Sequence, residues 1–168
     1  ISLIKPTKVI KGRVLREDGR AITNARIGVY RQETQRFIEV PTDSSGSYTL
    51  LLPGGTWEVS LESSMPGVDW VYTKPPETVS FAKDSTSEEK ILDFTVRTAD
   101  SFIKGKVLKP DGSPPSSNSV FAGVRAKEGF EFGGPVDAGG SFRIPTIAGT
   151  YSLFIVSLLL AGIAVLNI

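Results

Sequence analysis

Two aspartates, each followed three residues later by a glycine, are the first residues whose type and spacing could support chemistry. Asp43 begins the stretch "DSSG" and Asp137 begins the stretch "DAGG". With Asp18 or Asp111 they could supply ligands to Ca²⁺, which takes about six to eight oxygen ligands. Neither stretch has the closely spaced carboxylates of a dedicated calcium site. An Asx-type turn, in which the carboxylate accepts backbone N–H bonds, is therefore the favoured interpretation and calcium binding the weaker one.

Two aromatic residues in a proline-flanked stretch are candidates for contact with a ligand or a protein partner. Trp70 and Tyr72 lie in "PGVDWVYTKPPE", the least regular part of the chain. Aromatic rings on a loop can stack on sugars or become buried at an interface. They can also close the end of their own domain, and the sequence leaves both interpretations open.

The composition excludes several classes of function. The chain has 168 residues, with 19 basic and 18 acidic side chains, a formal charge of +1, and neither Cys nor His. Balanced charge provides no electrostatic footprint for nucleic acid. Without Cys and His there is no thiolate nucleophile, no disulfide and no imidazole base, and the usual zinc ligands are missing. We therefore predict no catalytic residue, no cofactor and no nucleic-acid partner.

An internal repeat organises the chain. The stretch "IKGRVLREDG" at 10–19 recurs as "IKGKVLKPDG" at 103–112, and "DSSGSYTLLLPGGTWEVSL" at 43–61 recurs as "DAGGSFRIPTIAGTYSLFI" at 137–155. Turn glycines and one face of alternating apolar residues are what match. Trp57 aligns with Tyr151, and we expect both rings in the core. The sequence therefore predicts two copies of one module.

Short alternating runs bounded by glycine and proline predict an all-β fold. In the first copy they predict seven strands, a number typical of a sandwich, at 9–15, 25–30, 37–40, 48–52, 57–61, 78–81 and 91–96. The two strands around "PGG" at 53–55 are interpreted as a hairpin. The first module is assigned to 9–98 and the second to 101–168, which is curtailed relative to the first.

Both ends of the sequence carry apolar segments. Ile1 to Leu3 align with Phe94 to Val96 at the end of the first copy, so we predict that residues 1–8 are a leading strand or the tail of a preceding module. The run "LFIVSLLLAGIAVLNI" at 153–168 has no charge. It could form buried strands of the second module, begin a membrane span of about 20 apolar residues, or pair with another subunit. In the last case the predicted assembly residues are Ile1, Leu3, Ile4, Leu158, Leu160, Ile163 and Val165.

The stretches "GRVLREDGRAITNARIGVY" and "TDSSGSYTLLLPGGTWEVSLE" resemble the carboxypeptidase regulatory-like domain of the transthyretin-like, or prealbumin-like, β-sandwiches. The second copy resembles it too. The resemblance implies two tandem Greek-key sandwiches of the immunoglobulin-like or transthyretin-like type that are themselves non-catalytic. Such modules occur in surface proteins and as accessory domains of enzymes.

We therefore predict a non-enzymatic, secreted or cell-surface structural module, acting as a spacer or subunit of a stalk, adhesin or filament. Its expected partners are neighbouring copies or modules, and strand complementation is the expected mode of assembly. The alternative is an accessory domain that binds a cell-surface glycan or protein through Trp70 and Tyr72.

Overall fold

The computed structural model of the chain describes residues 6–62, 67–84, 86–116, 119–127 and 129–157, which form an all-β fold. These residues contain no α-helix; a short 3-10 helix occupies Gln32–Thr34. The predicted all-β sandwich fold is confirmed. The strands in chain order are β1 (Lys8–Arg16), β2 (Arg26–Arg31), β3 (Arg36–Pro41), β4 (Ser47–Leu52), β5 (Gly55–Glu62), β6 (Trp70–Val71), β7 (Glu77–Phe81), β8 (Glu88–Ile91), β9 (Phe94–Thr98), β10 (Ser101–Lys106), β11 (Val120–Ala126), β12 (Glu131–Pro135), β13 (Ser141–Thr146) and β14 (Tyr151–Ser157).

The chain divides into two compact units, one made of residues 1–62 and 74–96 and the other of residues 63–73 and 97–168. The segment 67–73 therefore belongs with the second unit, although the sequence placed it in the first module. Its short strand β6 pairs with residues 97 and 98 of β9. The predicted module ranges, 9–98 and 101–168, stay predictions.

The first unit has two sheets with apolar inward faces. In one sheet β1 pairs antiparallel with β4 and parallel with β8 and β9. The other sheet has the antiparallel order β3-β2-β5-β7. Because successive side chains of a strand point to opposite faces, alternate apolar residues become buried. The buried set includes Ile10, Val14, Ile27, Val29, Leu50, Leu52, Trp57, Val59, Phe94 and Val96.

The predicted hairpin at "PGG" is wrong, although both of its strands exist. β4 pairs with β1, whereas β5 pairs with β2 and β7, so the connection passes from one sheet to the other. Gly54 lies so close to the Ala82 carbonyl that a Cβ would clash with it. Alternation identifies which residues of a strand are inward, but it carries no information about the partner strand.

The predicted strand at 91–96 is interrupted in the structure. β8 ends at Ile91 and β9 begins at Phe94. Between them the Leu92 carbonyl accepts a hydrogen bond from the Tyr48 hydroxyl at 2.7 Å. The Asp93 carboxylate accepts one from the backbone N–H of Arg13 at 2.8 Å. The backbone N–H of Leu92 still donates to the Lys11 carbonyl at 2.9 Å, so the interruption between β8 and β9 is bridged by one backbone bond and two bonds to side chains.

The second unit also has two principal sheets. β10 pairs antiparallel with β13, and β11 lies between β12 and β14 with antiparallel pairing to both. Its buried core comprises Val71, Val120, Ala122, Val124, Phe132, Val136, Ile144 and Ile147.

Residues 1–5 and 158–168 lie outside the described residues, and with them every predicted assembly residue from Ile1 to Ile4 and from Leu158 to Val165. In the described part of the chain, no helix is long and apolar enough to cross a membrane.

Candidate functional site

The two candidate calcium aspartates both lie in turns that use their carboxylates locally. Asp43 Oδ1 accepts backbone hydrogen bonds from Ser45 at 2.8 Å and from Ser47 at 2.9 Å. Asp137 Oδ1 accepts the corresponding bonds from Gly139 at 2.9 Å and from Ser141 at 2.8 Å. This is the geometry of an Asx-type turn.

Hydrogen bonds to the carboxylate also change its acidity. In Asp43 the Ser45 hydroxyl and the two backbone N–H groups lower the pKa, because they stabilise the charged form. No group of three or more His, Cys, Asp or Glu side chains that could hold a metal ion occurs among the described residues. Calcium binding at Asp43 or Asp137 stays a prediction, because the described residues form no such group around either aspartate.

The two candidate contact aromatics are buried. Trp70 lies in β6 with 4% of its surface exposed, and Tyr72 follows β6 with 9% exposed. Stacking on a sugar or a partner requires an accessible ring face, which this arrangement does not offer. Contact of Trp70 and Tyr72 with a ligand or partner stays a prediction.

Sequence reasoning missed a buried lysine. Lys8 is fully buried at the start of β1, and its ammonium lies 2.7 Å from Asp84 Oδ1, 2.8 Å from the Thr86 carbonyl oxygen and 3.8 Å from Glu88 Oε2. The signal was available, because Lys8 occupies an inward position of the same alternation that buries Ile10. Its partners come from the distant segment 84–88, so no local pattern identified them.

The contacts of Lys8 are those of an ion pair. The side-chain hydrogen bond from Lys8, and then that from the Thr86 hydroxyl, lower the pKa of Asp84 from 3.8 to about 2. At neutral pH the carboxylate is therefore ionised and serves as an acceptor. The cluster ties the beginning of β1 to the loop before β8, and we assign it a structural role.

The edge of β1 that faces away from β4 is fully covered in the first unit. β8 and β9 pair with it in parallel, with Lys8 opposite Glu88 and Val14 opposite Phe94. A Cβ on Gly12 would collide with the Leu92 carbonyl, so only glycine admits the covering segment so closely.

The corresponding edge in the second unit pairs with no strand of the described part of the chain. The ladder of β10 with β13 repeats that of β1 with β4, because Gly105 lies opposite Phe142 as Gly12 lies opposite Tyr48. Among the described residues, however, β10 pairs only with β13. The open edge of β10 and the two residues that follow it, 101–108, are called the acceptor edge from here on.

The described residues cover the apolar side chains of the acceptor edge only in part. Ile10 and Val14 of β1 have no exposed surface, whereas Ile103 and Val107, at the matching places in the repeat, are only half-buried. Leu108 is 49% exposed. An unpaired strand edge beside exposed apolar side chains favours the addition of another strand.

Comparison with known proteins gives a family match for the first half of the chain. Residues 9–91 match the model of the carboxypeptidase regulatory-like domain. The resemblance is confirmed for this range, while the second copy stays a prediction. No curated protein matches the chain.

The solved structures to which the chain is similar include three bacterial proteins. It shares 18% identity with the Bacillus anthracis TIE protein, covering 90% of this chain and 28% of that one with a TM-score of 0.47. It shares 12% with a streptococcal ancillary pilin, covering 96% and 58% with a TM-score of 0.44. It shares 14% with a DUF3823 family protein from Parabacteroides merdae, covering 92% and 82% with a TM-score of 0.43. The chain thus spans less than two thirds of the first two proteins, and similarity at this level carries no argument about function.

Proposed function

We propose that the chain is a non-enzymatic structural module of an extracellular surface assembly, in which neighbouring copies join by strand complementation at the acceptor edge. In this proposal the two units are tandem modules of one type. Three features support this: their matching ladders, their matching aspartate turns, and a shared aromatic contact. In the shared contact, Trp57 Nε1 donates to the Pro53 carbonyl at 3.1 Å, and the Tyr151 hydroxyl donates to the Ile147 carbonyl at 2.7 Å.

The acceptor edge is the observation that carries the proposal. In the first unit, β9 runs parallel to the matching edge of β1, and Phe94 and Val96 of β9 are buried in the core. A segment of the same kind would cover Ile103 and Val107 in the second unit. Burial of apolar surface contributes about 25 cal/mol per Å², so closing such an edge favours association.

The donor that we assign is the first segment of a neighbouring copy. Displaced by 93 residues, the offset between 10–19 and 103–112, Ile1 and Leu3 fall on Phe94 and Val96, which cover the edge of β1. Since Val14 lies opposite Phe94, the donor would place Ile1 opposite Val107. Addition of a strand to an exposed sheet edge is a common mode of peptide recognition, and its repetition from head to tail makes a filament.

A disulfide crosslink tests both the partner and the register. Leu15 lies opposite Thr95 in the first unit, so the proposal places Ser2 of one copy opposite Leu108 of the next. The chain has no cysteine, so two variants, Ser2→Cys and Leu108→Cys, can be mixed and oxidised without background. We expect the mixed disulfide, identified by mass, to exceed both symmetric ones. The matched control replaces Leu108→Cys with Leu51→Cys, because Leu51 is 59% exposed on β4 of the first unit.

Mass in solution provides the second readout. Size-exclusion chromatography with light scattering should give species that grow with concentration, and negative-stain images should show linear polymers. Equal crosslinking to Leu51→Cys would contradict the register. A strict monomer at high concentration would also overturn the proposal, and it would mean that the acceptor edge is closed by the chain's own residues after 157.

A further inference from the structure

A cleft of about 490 Å³ opens on the second unit, and its lining combines charged, hydroxyl and apolar groups. Small-molecule sites are about 300 to 1,000 Å³ in volume and place a few polar groups in an apolar surround. The cleft therefore has a volume within this range and a lining of mixed chemistry. The lining includes Lys104, Asp137, Ser141, Phe142, Arg143 and Pro145.

Two basic side chains stand together at this cleft. Lys104 and Arg143 lie directly opposite each other in the ladder of β10 and β13, and both are exposed. Among the described residues, no carboxylate forms an ion pair with either. Like charges placed opposite each other destabilise a strand pair. In the first unit this ladder position holds Lys11 and Thr49, and Lys11 is bound by Glu89 at 2.7 Å.

The guanidinium group of Arg143 is already oriented. Its Cζ lies over the ring of Phe102, 3.3 Å from the ring centroid, which is a cation–π contact. Its N–H groups make no hydrogen bond to any described residue. A planar guanidinium held in this way can bind a carboxylate through two parallel hydrogen bonds, and Lys104 adds a compact positive charge beside it.

The rest of the lining suits hydroxyl groups better than a second negative charge. Oδ1 of Asp137 is used by the turn, while its Oδ2 and the hydroxyl of Ser141 bond to no other described residue. The Asp137 carboxylate would repel a simple anion but can accept hydrogen bonds from hydroxyls. Pro145 adds an apolar wall. A ligand with one carboxylate and several hydroxyls on a compact ring satisfies the whole set.

We propose that this cleft binds a sugar acid, such as a uronic acid unit of an anionic polysaccharide. The carboxylate would lie on Lys104 and Arg143, and ring hydroxyls would bond to Asp137 and Ser141. This site is separate from the buried Trp70 and Tyr72. It does not depend on the proposed assembly.

Titration calorimetry with a short oligomer of galacturonic acid tests the site in the full chain. We expect binding that is about tenfold weaker in Arg143→Gln and in Lys104→Gln, because each loses a charge-assisted hydrogen bond. The control Lys127→Gln removes an exposed charge of the same unit that is not part of the cleft lining, and its affinity should equal that of the unaltered chain. Unchanged melting temperatures would show that all three variants are folded.

Two comparison ligands distinguish a sugar-acid site from a general anion site. The corresponding oligomer of galactose should bind at least about tenfold more weakly, because it lacks the carboxylates. Poly-glutamate should also bind more weakly, because it lacks ring hydroxyls. Equal binding of either ligand, absence of binding by the sugar acid, or undiminished binding by both cleft variants would overturn the proposal.

Discussion

Replacing Lys8 with methionine and with alanine separates the two contributions of this buried side chain. The stem packs in the core of the first unit, while the ammonium bonds to Asp84 and to Thr86. Methionine keeps a stem of similar length without the charge, and alanine removes both. The comparison therefore measures packing and ion pairing independently.

The expected magnitudes follow from burial. Alanine lacks three methylene groups of the fully buried Lys8 stem, and at about 0.8 kcal/mol per buried methylene this is a loss of about 2 to 3 kcal/mol. Methionine restores most of this contact. In Lys8→Met the Asp84 carboxylate loses its ion-pair partner, but it is 50% exposed and can be hydrated by water. The variant also avoids the free-energy cost of removing the Lys8 ammonium from water. We therefore expect Lys8→Met to destabilise the unit by less than about 1 kcal/mol.

Urea unfolding, followed by tryptophan fluorescence, measures these free energies. If the slope of the unfolding free energy against urea concentration is unchanged, both variants expose the same amount of surface on unfolding as the unaltered chain. The reasoning would be refuted if Lys8→Met were as destabilising as Lys8→Ala, at about 3 kcal/mol or more. That result would mean that the ion pair, and not the stem, stabilises the beginning of β1.

Three further predictions concern single positions in the first unit. Because the pKa of Asp84 is lowered from 3.8 to about 2 in the folded state, its ionised carboxylate stabilises the fold above pH 3.8, and this contribution is lost as the pH falls through about 2. The melting temperature should therefore drop over this interval. Lys8→Met should remove part of the drop. Thr42 is buried, and its hydroxyl accepts a hydrogen bond from the Ala25 N–H and donates one to the Ile22 carbonyl. Thr42→Val should lower the free energy of unfolding by about 2 to 4 kcal/mol in chemical denaturation, whereas Thr42→Ser retains both bonds. Gly46 has a φ of 75°, and an added Cβ would lie 2.6 Å from a backbone carbonyl oxygen; Gly46→Ala should therefore lower the melting temperature more than Gly19→Ala, where the φ is 84° but no atom lies within 4 Å.

Alternation of apolar and polar residues was sufficient to locate most strands of the first unit, because a half-buried strand has a period of two. The turn glycines were equally informative. Gly46 and Gly140 have φ values of 75° and 83°, a region that other residues rarely adopt. These features are local, and the repeat makes each of them visible twice.

Partners that are distant in the chain could not be predicted in the same way. At Gly54 the chain passes from the sheet of β4 to the sheet of β5, and there it lies close to the backbone of Ala82. The buried ammonium of Lys8 is paired with Asp84, which is 76 residues away in the chain. In the candidate cleft, the pairing of Lys104 with Arg143 follows only from the register of β10 and β13. A single sequence specifies inward faces, but it does not specify which strand lies beside which.

The parallel pairing of β1 with β8 and β9 has a mechanical consequence. A pulling force enters the first unit at the beginning of β1 and leaves it at the end of the segment of β9 that pairs with β1. Because these neighbours run in the same direction, the force slides them past each other instead of peeling them apart. The hydrogen bonds at Lys8–Lys11 and at Val14–Arg16 then bear the load together, whereas an antiparallel hairpin pulled from its two ends would lose its bonds one after another. Under such a force, this arrangement would resist stretching along the chain more than a hairpin would.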